Sequence, residues 1–99
     1  MTLVTVICFG LVVEAQGVVW RGTHKVCGDG AELTLYQTGR MVFWHNNRKE
    51  EGRYNIHDGY LNLFDENGRK LYSFKYSYTS STNTLNWVDA GRVRMSRCR

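Results

Sequence analysis

An all-β fold, a small antiparallel up-and-down meander of about eight strands, is predicted by three features of the sequence. Glycine and asparagine turn signals recur at intervals of about 8 to 12 residues, the spacing of a sandwich or barrel. Between those signals apolar and polar residues alternate with the period of a strand. No stretch keeps a helical apolar period long enough to form a helix. The chain has 99 residues, room for one domain, and its ten glycines and absent prolines suit hairpins better than a linker.

The first segment is unlike the rest. Thr2 to Val13 carry no charge and are mostly apolar, and Glu14-Ala15-Gln16 closes the run. About twelve residues is too short to span a bilayer as a helix but fits the apolar region of a secretory signal. Val13 and Ala15 suit the small-residue positions of a cleavage site, so residues 1–15 are expected to be a cleavable signal peptide and 16–99 the mature domain. The ending Glu-Ala-Gln also resembles bacterial export signals that finish in Ala-Gln. No Lys or Arg precedes the run, so either the α-amino group serves alone or the true start lies upstream of Met1. The competing reading makes residues 3–13 a buried first strand of a cytosolic protein. Thr5-Val6-Ile7 before Cys8 is no lipobox. Export, to a periplasm or the exterior, is the preferred reading.

The strands follow in order. The first covers 18–26 and ends at Cys27-Gly28-Asp29-Gly30. The second, 32–36, turns at Gln37-Thr38-Gly39-Arg40 into the third, 41–45. Residues 46–51 read as a polar loop leading to a short strand over 53–56. His57-Asp58-Gly59 is a tight turn into 60–64, and Asp65-Glu66-Asn67-Gly68 is the plainest hairpin signal, because Asn-Gly accepts positive φ cheaply. The longest strand, 69–79, turns through 80–83 into 84–88. Asp89-Ala90-Gly91 then leads to the last strand, 92–97.

Alternation assigns the buried face of each strand. Tyr72, Phe74, Tyr76 and Tyr78 share one face of the longest strand, opposite Leu71, Ser73, Lys75, Ser77 and Thr79. Leu33 and Leu35 oppose Glu32 and Thr34; Leu61 and Leu63 oppose Asn62; Leu85 and Trp87 oppose Asn86. With one apolar face per strand and no helix to cover it, the sheet must close on itself, and a small barrel is the economical solution.

Several segments together resemble a known family. Trp20-Arg21-Gly22-Thr23, Glu32-Leu33-Thr34-Leu35, Gly39-Arg40-Met41-Val42-Phe43 and Glu51-Gly52-Arg53-Tyr54-Asn55-Ile56 resemble the small lipocalin-like domains of bacterial exported proteins. Those domains open with a Trp-x-Gly strand and continue with Leu-Thr-Phe, Gly-Thr-aromatic and Glu-Gly-Thr-Tyr strands. Tyr60-Leu61-Asn62-Leu63, the Asp65–Gly68 turn and the 72–78 strand fit their later hairpins, so the resemblance covers nearly all of 18–97. It implies a meandering lipocalin-like barrel and a binding role, and it carries no catalytic residues.

Cleavage would remove Cys8 and leave Cys27 and Cys98, which in an oxidising compartment read as one disulfide. Two free thiols in a reducing compartment are the alternative. Cleavage also leaves 13 Lys+Arg against 8 Asp+Glu, a spread-out balance of +5 concentrated only at Arg92, Arg94, Arg97 and Arg99.

The chemistry-bearing patterns are sparse. There is no G-x-S-x-G, no H-E-x-x-H and no Gly-rich phosphate loop, so an enzyme is not expected, nor any cofactor. His24 and Cys27, with His45 and His57 elsewhere, lack the second close-spaced pair of a metal site. Asp65 to Gly68 lacks the remaining ligands of a calcium loop. Glu50-Glu51, beside Arg48, Lys49 and Arg53, reads as a solvated turn. Lys75 lies on the face opposite the aromatic residues, against a stacking platform for single-stranded nucleic acid. One arginine of the last strand is expected to cover Trp20 by a cation–π contact.

The candidate ligand-binding residues are Tyr72, Phe74, Tyr76 and Tyr78, with Trp87 and Trp44. They either line a cavity for an apolar ligand or simply fill the barrel. The leading expectation is a non-enzymatic binding module for a small apolar ligand or a cell-envelope component. The alternative is a secreted or periplasmic interaction domain, an inhibitor or accessory factor, using a strand edge or the basic last strand.

Overall fold

A computed structural model describes residues 20–98 as one closed antiparallel barrel, with its eight strands joined in sequence order. The predicted signal segment, residues 1–15, lies outside the described residues, as do 16–19 and Arg99. The strands are β1 (His24–Gly28), β2 (Ala31–Leu35), β3 (Arg40–His45), β4 (Arg48–His57), β5 (Tyr60–Asp65), β6 (Lys70–Thr79), β7 (Thr84–Ala90) and β8 (Val93–Arg97). The predicted up-and-down meander is therefore the observed fold.

Three elements differ from expectation. Among the described residues the first strand begins at His24, because Trp20 to Thr23, expected to be part of it, turn instead of pairing. The predicted polar loop over 46–51 is mostly strand. Only Asn46 and Asn47 turn, both at positive φ (51° and 60°), with His45 paired directly to Arg48 across them. Asparagine tolerates the left-handed region, so Asn-Asn makes a two-residue hairpin of the kind that matches strand twist. Beyond it, the charged run that looked like a loop is the top of a ten-residue strand. The third difference is at Leu85 and Trp87. Tyr78 pairs with Leu85 and Ser77 with Trp87, leaving Asn86 as a bulge residue. The extra residue breaks the alternation. Leu85 and Val88 point inward and are buried, whereas Trp87 shares the outer face with Ser77 and Ser96.

The middle of the barrel is full. Val26, Leu33, Leu35, Met41, Leu61, Leu63, Leu85, Val88 and Met95 are each no more than 2% exposed. Eight strands enclose an interior just wide enough for such side chains. At Gly52 the β5 backbone passes so close that an added Cβ would collide with the Phe64 carbonyl, so only glycine fits there.

Closure is uneven. Five or six residue pairs join β2 to β3, β3 to β4 and β4 to β5, but only Val26–Arg97 and Cys27–Ser96 join β1 to β8. The Cys27–Cys98 disulfide sits on this short seam, with a Cα–Cα distance of 5.0 Å. Register carries one outer row across it: Trp87, Ser96, Cys27, Glu32, Trp44 and Lys49. Among the described residues no helix is long and apolar enough to cross a membrane.

Candidate ligand site at the barrel mouth

The two ends of the barrel are built differently. One end is plugged by Trp20, which is 2% exposed. Its ring stacks on Tyr54 (centroids 6.0 Å apart) and meets Tyr76 and Tyr78 at 5.8 and 5.3 Å. Trp20 Nε1 donates to Tyr54 Oη at 3.0 Å, and Tyr54 Oη donates to the Tyr36 carbonyl at 2.7 Å, so both buried polar groups are satisfied. Asn83, in the left-handed region, locks the plug. Its Oδ1 accepts from the Arg21 amide and from Tyr78 Oη, while its Nδ2 donates to the Arg21 carbonyl. The expected arginine cover on Trp20 is absent because the ring is buried; the cation–π contact is instead Arg94 over Trp87, 4.3 Å from the ring centre.

The opposite end opens as a cavity of about 220 Å³, lined by Asp29, Gly30, Ala31, Phe43, His45, Asn46, Tyr72, Phe74, Ala90 and Val93. Its wall is a cluster of rings. Tyr72 stacks on Phe74 at 5.4 Å, and Phe43 presents itself edge-on to Tyr72 at 5.5 Å and to Phe74 at 6.0 Å.

Beside that wall stand three polar side chains that face inward. Phe43 pairs with Glu50, and His45 is the next inward residue on β3. His45 Nε2 lies 2.7 Å from Glu50 Oε1, Tyr72 Oη donates to the same oxygen at 2.9 Å, and Tyr72 Oη is 3.2 Å from His45 Nε2. The Phe43 ring stacks under the imidazole at 4.4 Å. Burial alone would raise the Glu50 carboxyl, but the hydrogen bonds from His45 and Tyr72 and the charges of His45 and Arg48 outweigh it and hold the group below its ordinary value. Burial, then the bond to Glu50, pushes the Tyr72 hydroxyl up. The trio thus forms a hydrogen-bonded cluster beside the aromatic wall.

The six residues singled out from the sequence do not form one site. Tyr72 and Phe74 line the mouth, whereas Tyr76 and Tyr78 pack against the Trp20 plug at the other end. Trp44, 45% exposed, and Trp87 lie on the outer face, each beneath a cation: Lys49 is 5.6 Å from the Trp44 ring centre. Sequence reasoning missed Phe43 and His45 as mouth residues, and Glu50 as the hydrogen-bonding neighbour of His45 and Tyr72. Their signal was available: Glu50 has the same parity as Gly52, Tyr54 and Ile56, once Asn46-Asn47 is taken as the turn.

A polar cleft of about 340 Å³ runs along the seam from Thr23 to Lys25 and from Thr82 to Leu85. Within it His24 Nε2 contacts the Arg21 carbonyl at 3.0 Å, Lys25 bridges to Glu32 at 3.0 Å, and Arg97 lies along the same cleft. Among the described residues no group of three or more His, Cys, Asp or Glu is placed to hold a metal ion. No protein-family model matches the chain, and neither the curated proteins nor the solved structures contain a significant match to it.

Proposed function

We propose that this protein is an exported, non-enzymatic, lipocalin-like binding module that takes the apolar end of a small ligand into the barrel mouth. The observation that carries this reading is the aromatic-walled cavity of about 220 Å³ at the one end that Trp20 does not plug. An apolar cavity of about 150 Å³ is enough to admit benzene, so this mouth suits one ring or the end of a short chain rather than a whole lipid. Export is supported by the disulfide, which belongs to oxidising compartments, and by the uncharged apolar run over 2–13.

An amide NMR titration with toluene, at millimolar concentration, tests the mouth. Shifts clustered at Ala31, Phe43, Tyr72 and Phe74, and lost in Ala31→Trp, which fills the opening, are expected. Shifts at the Trp20 end, or none, would overturn the reading.

The exposed Trp44 in the outer row supports a second reading, a protein-interaction surface that flanks the disulfide. Closure leaves little free sheet edge for strand addition, so such a partner would rest on side chains. Trp44→Ser should then remove co-purification with an envelope fraction while leaving the mouth titration intact.

A further inference from the structure

We propose that the polar cleft along the β1–β8 seam is a second binding site, and that it takes a phosphate monoester group. It lies at the Trp20 end of the barrel and stands or falls independently of the mouth.

The cleft exists because β8 stops short. Its ladder with β1 runs no further than Arg97, and its ladder with β7 no further than Ser96. Beyond those pairs, residues 23–25 and 82–85 flank a notch of about 340 Å³ that no described strand fills, with Arg97 and Cys98 also lining it. The walls are held before any ligand arrives. The His24 ring packs edge-on against Trp20 at 5.7 Å and against Tyr78 at 6.1 Å. Asn83 is tied to both the amide and the carbonyl of Arg21, and Thr84 Oγ1 donates to the Thr82 carbonyl at 3.2 Å. Groups already fixed in this way lose little further freedom on binding.

The charge of the lining has one sign. Lys25 and Arg97 line the cleft, and no Asp or Glu does. None of the ion pairs among the described residues involves Arg97, so its five N–H donors are uncommitted to any carboxylate there. Lys25 is bridged to Glu32, but the two side chains are 51% and 40% exposed, and so exposed a pair is worth little. A stronger anion in the cleft can therefore draw Lys25 from it. The exposed Thr23 adds a hydroxyl donor at the same rim.

These donors select among anions. A phosphate monoester carries about −1.5 to −2 charge at pH 7 and three strong acceptor oxygens. A carboxylate brings one charge and two oxygens, which leaves one of the two cations without a partner. The planar fork of Arg97 suits bidentate binding of a phosphate, and Lys25 supplies a point charge beside it. Thr23, Lys25, Thr82 and Arg97 are all exposed, so the rim lies at the surface and the ester stem can remain in water.

The test is an amide NMR titration of the folded, disulfide-bonded protein with glycerol phosphate, inorganic phosphate, acetate and sodium chloride at matched ionic strength. Glycerol phosphate is expected to shift residues 23–25, 84, 85, 97 and 98 at millimolar concentration, with acetate weaker and chloride without effect. Arg97→Gln removes one charge-assisted contact at an exposed position and should weaken glycerol phosphate about tenfold. Arg94→Gln, which removes the same charge from the ring of Trp87, should leave the titration unchanged. Inorganic phosphate binding without glycerol phosphate would overturn the ester assignment. Equal shifts with chloride, equal losses in Arg94→Gln and Arg97→Gln, or no shifts along the cleft would overturn the site itself.

Discussion

Replacing Cys27 and Cys98 together by serine should cost this barrel about 4 kcal/mol. The bridge joins residues 71 apart in sequence, and the entropy of pre-closing a loop of that length in the unfolded chain is about 4.4 kcal/mol at 25 °C. A domain of this size has a total stability of only about 5 to 15 kcal/mol, so the loss moves the folding equilibrium by roughly a thousandfold. Location adds to the argument. The bridge lies where β1 and β8 share two residue pairs, the shortest ladder in the barrel, so little else holds the two ends of the sheet together. Cys27 also lies on the outer face beside Ser96, where a serine hydroxyl meets water rather than the core. The assay is urea unfolding followed by tryptophan fluorescence. With an m value of about 1.5 kcal/mol per molar, 4.4 kcal/mol shifts the midpoint by about 3 M. A loss under about 1 kcal/mol, with m unchanged, would refute the reasoning. It would mean that two backbone pairs close the barrel unaided, or that the unfolded chain is already compact.

Gly52→Ala should destabilise the barrel by about 3 kcal/mol in thermal unfolding, because the new methyl meets the Phe64 carbonyl, backbone that cannot swing aside. Tyr54→Phe takes the acceptor from Trp20 Nε1 and the donor from the Tyr36 carbonyl, and should cost about 1 to 3 kcal/mol in the same assay without altering the far mouth. The Glu50 carboxyl lies lower in the fold than the ordinary value of 4.5, so its contribution is complete above that pH and is lost as pH falls through the folded value. Urea midpoints between about pH 3 and 7 should therefore drop on the acid side, and Glu50→Gln should flatten that drop. The Tyr54, Tyr72 and Tyr76 hydroxyls are all pushed up, mainly by burial, so their contribution holds below the ordinary value of 10.0 and is lost as pH rises through the folded values.

Much of the fold was legible because hairpin chemistry is local. The Asp65 to Gly68 turn, the Asp58-Gly59 turn and the inward stripe of β6 follow from short-range rules, and they stand where those rules put them. What escaped was set by single residues that change parity. Asn46 and Asn47 turn in two residues, so the charges after them belong to a strand, and Glu50 faces the interior instead of solvent. Asn86 adds one residue to β7 and sends Trp87 outward. A bulge leaves no compositional mark, and its partner strand decides where it falls. The division of the β6 stripe into a mouth half and a plug half was equally out of reach, since it depends on Trp20 folding back from outside the sheet.

The uneven closure also bears on how the chain reaches its fold. Seven of the eight strand pairings join neighbours in sequence, and each costs only a short loop to form. The eighth, β1 with β8, brings residue 27 to residue 96 and is the one long-range search in the topology. A reduced chain can thus zip its hairpins in any order but must find the last pairing with almost the whole sequence as its tether. Once the cysteines are joined, that search is shortened in advance, and the slowest step of folding passes from backbone pairing to the oxidant that makes the bond.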